Sequence, residues 1–461
     1  MKKYLFFAAM VMSVCWSLSA QQPAKPKDKA AADKPQKVQI KPYGFVRNYL
    51  VLDSRKTVAV CGGDYVMIPY DEDWNITEAE EAAILASGAT PDDKYTLRFD
   101  RNATPQTHFQ ALSSRFGLQL WGPQLMGANS SGKIEADFAG FGTTNTVLRL
   151  RLAYMQLDWH GEQTSHSLLA GQDWHPLSGN IMPEVLGMAA GAPFRPHSRT
   201  PQLRYELSHG LLRFMAAALY QFQYTSPGPD GESSKYAKQG LIPELFLGIG
   251  LRNEKFYAQL GADWTSLMLY DEVGLLYNII APTVPMQLKT RCNSLSPTLY
   301  FQYTPGLFSL KMRTTLAENL GHLNMLSGYA MAVSPDDPTS IDYRPLRASV
   351  SYLDLAYGKR WRTNLLLGYH KNLGLTDGHS IGVSTSGGPA IYMKKGINNI
   401  NSIYRIAPSI SYNTQAFNIG LEYEWTAVTY GDLQSDGTVA DNANLHQVAN
   451  SRICLLMKYN F

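Results

Sequence analysis

The chain ends on ICLLMKYNF, residues 453–461, and the alternation in this stretch decides the fold class. Ile453, Leu455, Met457, Tyr459 and Phe461 fall on one face, while Arg452, Cys454, Leu456, Lys458 and Asn460 fall on the other. A period of two marks a β-strand with one apolar side. In a soluble sheet that side would be covered by a core. Here the alternation runs to the last residue with no helical pattern to cover it, so the apolar side is expected to face lipid.

Working outward, the same rhythm returns along the chain. Phe116, Leu118 and Leu120 alternate with Arg115, Gly117 and Gln119; Ile134, Ala136 and Phe138 alternate with Lys133, Glu135 and Asp137. Leu148, Leu150, Leu152 and Tyr154 oppose Arg149 and Arg151, and FNIGLEYEWT sets Phe417, Ile419, Leu421, Tyr423 and Trp425 against Glu422 and Glu424. About sixteen such runs follow Val38: 39–53, 108–122, 131–141, 146–160, 164–174, 201–208, 211–225, 241–252, 255–269, 288–304, 307–318, 345–357, 360–372, 401–412, 416–430 and 446–461. Long polar loops alternate with tight turns at His209-Gly210, Pro305-Gly306, Gly358-Lys359 and Asn413-Thr414-Gln415. The expected fold is all-β, a transmembrane antiparallel β-barrel of about sixteen strands with short periplasmic turns, long extracellular loops and both termini in the periplasm. Alternation slips within LAYMQLDW and near Leu353, which reads either as bulges or as strands facing a neighbouring subunit.

The N-terminus fits an exported protein. Lys2 and Lys3, an apolar run from Leu5 to Trp16 and the small residues Ser17, Ser19 and Ala20 read as a signal peptide over residues 1–20. Residues 21–37, QQPAKPKDKAAADKPQK, read as a disordered periplasmic tether, which leaves 38–461 for the barrel. Removing Lys2 and Lys3 lowers the formal charge from +3 to +1, so no basic surface for nucleic acid is expected. Beyond Cys15, the cysteines Cys61, Cys292 and Cys454 are widely spaced and odd in number, which indicates neither a disulfide framework nor a zinc site. No GxSxG, HExxH or P-loop occurs, so the chain is not read as an enzyme, and no cofactor or metal is implied. The acidic first loop, 54–107, carries a capping box at Thr77 and Glu80 that opens a short helix ended by Gly88.

From Arg115 to Arg204, SRFGLQLWGP, SGKIEADFAGF, TVLRLRLAYMQLDW and SLLAGQDWHPLSG occur in order. Together they resemble the trimeric outer-membrane porin superfamily, and in particular the DcaP-like sixteen-stranded channels. That resemblance implies a homotrimer whose long loop after the fifth strand folds into the lumen as a constriction. Here that loop is residues 175–200, with Glu184 as its acid and with His175, Arg195, His197 and Arg199. The chain departs from the family in its tether, which is too short and Pro-rich for the N-terminal coiled coil such channels can carry. The aromatic Phe461 resembles the terminal signal read by the barrel-assembly machinery. Outer-membrane lipid is the other expected partner.

The alternation turns Arg115, Lys133, Arg149, Arg151, Arg204, Arg213, Lys311, Arg313, Arg347, Arg362, Arg405, Arg452 and Lys458 inward, with Glu135, Asp137, Glu206, Glu244, Asp263, Glu422 and Glu424. Bases lead acids by roughly two to one, and in a narrow aqueous channel that excess raises the local anion concentration. The charges on the strands of Arg115, of Glu135 with Asp137, and of Arg149 with Arg151 can also brace the wall as ion pairs. The expected function is passive diffusion of small hydrophilic solutes with a preference for anions. The alternatives are a substrate-selective channel, or a barrel whose loops bind a surface partner and pass little.

Overall fold

The computed structural model describes residues 38–60, 65–88, 95–140, 146–179, 181–189, 191–272, 287–337, 341–376, 378–383, 388–440 and 444–461. The signal peptide and tether assigned to residues 1–37, and Cys61, lie outside the described residues. The rest forms a closed antiparallel barrel of sixteen strands. In chain order they are β1 (Gln39–Asp53), β2 (Gln106–Gln110 and Arg115–Leu125), β3 (Ala128–Asp137), β4 (Arg149–His160), β5 (Thr164–Trp174), β6 (Arg199–His209), β7 (Leu212–Leu219) and β8 (Glu244–Arg252). They continue as β9 (Phe256–Glu272), β10 (Gln287–Tyr303), β11 (Phe308–Glu318), β12 (Arg347–Gly358), β13 (Trp361–Gly374), β14 (Ile400–Asn413), β15 (Phe417–Tyr430) and β16 (His446–Asn460).

β2 is one barrel position in two pieces, since both pair with β1 on either side of a break at residues 111–114. β16 closes the ring on β1, from Phe45 opposite Asn460 to Asp53 opposite Arg452. Phe461 completes this seam by exchanging two backbone hydrogen bonds of 3.0 Å with Gly44. Glycine suits this position, because a Cβ at residue 44 would come within 2.6 Å of the Arg115 backbone carbonyl oxygen and of the Phe461 ring. Closure gives each of the sixteen strands a partner on both sides, which a bilayer favours because each orphaned backbone group costs several kcal/mol in hydrocarbon.

The outward face carries an apolar belt, with Leu118, Leu150, Leu203, Ile249, Leu299, Ile410, Leu421 and Ile453 all exposed on the outside of their strands. Such a belt suits lipid and would be untenable in water. Among the described residues no helix is long and apolar enough to cross a membrane.

The slip in β4 is a bulge: Ala136 faces Leu150 but Glu135 faces Leu152, and Arg151 is the extra residue. Leu152 therefore turns inward and is buried, while Met155 faces out. Near Leu353 the strand runs without interruption. Val350, Tyr352 and Asp354 face inward together and are buried, because loops pack against them from within the barrel. The sequence pattern assumed a polar interior. Instead, Val58, Met67 and Ile68 from the first loop, Leu177 and Phe194 from the loop after β5, and Leu320, Leu323 and Leu326 from the loop after β11 build a buried apolar core against the inner faces of β7, β8 and β11–β16. β7 also stops at Leu219, six residues before the predicted end, where residues 220–226 leave the sheet.

Outside this core, Thr77 caps the helix α1 (Glu78–Ala86) reciprocally with Glu80, as its sequence predicts. The backbone N–H of Thr77 keeps the Glu80 carboxyl below its ordinary range. The same loop is tied to the barrel rim through Asp71, which accepts from Asn399 and meets His446 Nε2 at 2.6 Å.

Candidate functional site

The loop joining β5 to β6 owes its path to polar groups at both ends. At its start, His175 is fully buried, and its Nδ1 accepts the backbone N–H of Leu177. In a neutral imidazole this leaves the proton on Nε2, which lies 2.7 Å from Glu244 Oε1, and His322 Nε2 approaches the same oxygen at 3.0 Å. These three side chains are grouped as metal ligands would be. A metal on His175 Nε2 would require a proton on Nδ1, where Leu177 already donates, so the group reads as an anchor between the loop, the His322 turn and β8. At the far end Arg195 donates to the carbonyls of Ser178 and Pro196 and meets His197 Nδ1 at 2.9 Å. Burial, with the cations of Arg195 and Arg199 beside it, holds His197 neutral.

Between these ends the loop is clamped to the arc β11–β15. The Asp354 carboxylate takes the Glu184 N–H, and the Glu422 carboxylate takes those of Leu186 at 2.6 Å and Gly187 at 3.1 Å. The Glu184 side chain turns to the wall, where Lys311 and Arg362 hold it. Arg405 donates to the carbonyls of Ala192 and Met67 and pairs with Glu424 at 3.3 Å; Arg313 reaches the carbonyl of Leu177. Tyr352 donates to the carbonyl of Ile181, and across the closing seam Tyr49 of β1 donates to that of Leu186. Thus Arg313, Arg405, Glu422 and Glu424 do point inward, but they are buried beneath the loop and do not line open space.

The arc β1–β4 is different. Arg149 grips Asp137 with two bonds of 2.8 and 2.9 Å; Arg151 bridges Glu135 at 2.8 Å and Asp137 at 2.6 Å; Arg115 meets Glu135 at 3.3 Å. Tyr43 donates to the free side of Glu135 at 2.9 Å. These charges form a cross-strand belt, and the belt fronts a cavity of about 790 Å³. Its lining brings together Arg47, Arg115, Arg149, Arg151, Arg195, Lys394 and Lys395, against the two acids Asp137 and Glu232. Aromatic rings complete the lining: Tyr65, Trp174 and Tyr224 each meet His197 edge-on at 5.2–6.1 Å.

Other predicted residues sit apart from this cavity. Lys133 lies over the Tyr43 ring at 5.0 Å; Arg204 pairs with Asp173 and Glu206; Arg213 donates to the turn carbonyls of Gly210 and Leu212. Arg199 is fully buried against the Trp174 and Tyr224 rings. Of the residues that sequence reading missed, Arg47 was legible: it stands opposite Lys458, an inward position of β16. Lys394 and Lys395 come from a loop, where no periodicity marks direction, and Phe222 belongs to the run 211–225 but lies past Leu219, where the chain has left the sheet.

No protein-family model and no curated protein sequence matches the chain. Among solved structures, the barrel is similar to the outer-membrane channel DcaP of Acinetobacter baumannii, at 16% identity and a TM-score of 0.60 over 92% of this chain and 97% of that one. It is also similar to the anion-selective porin from Comamonas acidovorans, at 10% identity and a TM-score of 0.50 over 92% of this chain and all of that one. The shared feature is the fold, a closed outer-membrane β-barrel.

Proposed function

We propose that this barrel is an outer-membrane porin through which small hydrophilic solutes diffuse passively, with anions favoured over cations. The observation that carries the reading is the cavity's charge: seven cationic side chains line it with two acids. In a passage walled by protein of low dielectric, such an excess draws anions in and repels cations. The loop after β5 is the constriction, since its segment 181–188 borders that cavity while fastened to the wall behind it. The assembly is a homotrimer, as the porin resemblance implies, exported by the N-terminal signal and inserted through the strand ending at Phe461. The test is efflux from proteoliposomes: gluconate should leave faster than glucose, its neutral counterpart of similar size. Equal rates would remove the anion preference, and retention of both would remove the porin.

A further inference from the structure

We infer that the cavity is a binding chamber for amphipathic anions, molecules with one acidic head and an apolar, preferably aromatic, body. The inference rests on the porin reading for the route by which such a molecule arrives, but the chamber itself is defined by its lining.

The loop segment IMPEVLGM, residues 181–188, holds a single charged residue, and the fold turns that residue away: Glu184 is bound to Lys311 and Arg362 on the wall behind. What the segment gives the cavity is the uncovered sides of Met182, Val185, Leu186 and Met188, half-buried residues of which the last three also pack against the barrel's inner cores. Phe222 lines the same space and is 63% exposed. In a passage selecting by charge alone the sides left toward the cavity are a liability, because wetting apolar groups is unfavourable and hinders the passage of water and ions. The arrangement does fit a ligand that covers it. Few ligand sites lack an apolar floor with a small number of placed polar groups, and about 790 Å³ is within the usual range for a small organic molecule.

The head group has its own partners. Arg47 gives its Nε–H to the neutral hydroxyl of Ser113 at 2.8 Å, and no carboxylate pairs with it among the described residues. Its charge is therefore available to a bound anion, unlike that of Arg149, which Asp137 grips with two bonds. The ligand's acid belongs beside Arg47, with its body on Phe222 and the loop.

The probes are 2-naphthalenesulfonate, methanesulfonate and neutral 2-naphthol, each titrated against the refolded full-length protein by calorimetry and, in parallel, as blockers of channel current. The aromatic sulfonate should bind about tenfold or more tightly than methanesulfonate, the ratio expected for roughly 60 Å² of apolar area withdrawn from water. Naphthol should bind at least about tenfold more weakly than the sulfonate. Phe222→Ser should reduce the advantage of the aromatic sulfonate, and Arg47→Gln should reduce the binding of both sulfonates. Equal affinity of the two sulfonates, or an advantage untouched by Phe222→Ser, overturns the inference. So does naphthol binding as well as the sulfonate. Because calorimetry needs no conduction, a protein that binds the aromatic sulfonate selectively yet carries no current keeps the chamber and loses the porin. One that conducts chloride with no preference among the probes does the reverse.

Discussion

The inner surface has two arcs with the same raw material and opposite uses. On β11–β15, charged residues face in and are consumed: Asp354 and Glu422 bind backbone N–H groups of the loop, and Arg313 and Arg405 bind its carbonyls. On β1–β4, charged residues face in and pair with one another, leaving guanidinium edges toward the cavity. Alternation tells which face a residue takes but not what meets it there. A carboxylate opposite a folded-in loop is a fastener, while a guanidinium opposite open space sets the field an ion feels.

Breaking the fastening arc should cost the most. Arg405 is fully buried, and Arg405→Ala leaves Glu424 without its cation, with only the Thr426 hydroxyl still donating to it, and two loop carbonyls unbonded, a loss of about 3–5 kcal/mol in unfolding free energy. A shift in the urea midpoint of folded barrel in detergent measures it, and an unchanged midpoint would mean the loop is not held there. Glu422→Ala removes the acceptor for two backbone N–H groups and should cost about 2–3 kcal/mol by the same assay, with noisier current as segment 181–188 gains freedom.

On the open arc the order of effects reverses. Arg47→Glu should leave the unfolding free energy within about 1 kcal/mol of wild type. It should nevertheless change the chloride-to-potassium permeability ratio several-fold, since reversing a charge ~5 Å from an ion alters their interaction by about 1.7 kcal/mol in water-like dielectric before screening. A stability loss without a selectivity change would move Arg47 to the fastening class. The smallest effect belongs to Glu184→Gln: its ion pairs with Lys311 and Arg362 are partly exposed and should contribute about 1 kcal/mol or less. A larger loss would make Glu184 the main clamp and demote Glu422.

The barrel was legible because lipid and closure impose one rule on every strand. β1 and β5 have the ends that alternation predicts, and the final strand closes on β1 as its apolar face requires. What failed was the assumption of a uniformly polar interior. Val350 and Tyr352 break the expected pattern near Leu353 because they face inward beneath Leu177, Phe194 and Leu320, and no local signal in β12 announces loops that come from elsewhere in the chain. The early end of β7 has a similar cause: Tyr224 continues the alternation, but its hydroxyl serves Arg149 and Arg199 across the cavity rim. The belt charges Arg115, Glu135, Asp137, Arg149 and Arg151 were readable from adjacency, whereas the basic contribution of Lys394 and Lys395 depends on where a long loop lands.

The central claim is that an open passage runs past the β1–β4 arc and favours anions. Single-channel recording of the refolded protein in a planar bilayer, under a potassium chloride gradient, tests it most directly. The account predicts steady conductance in groups of three with a reversal potential of the sign set by chloride. A reversal potential of the opposite sign, or no current from protein shown to be folded and inserted, would contradict it.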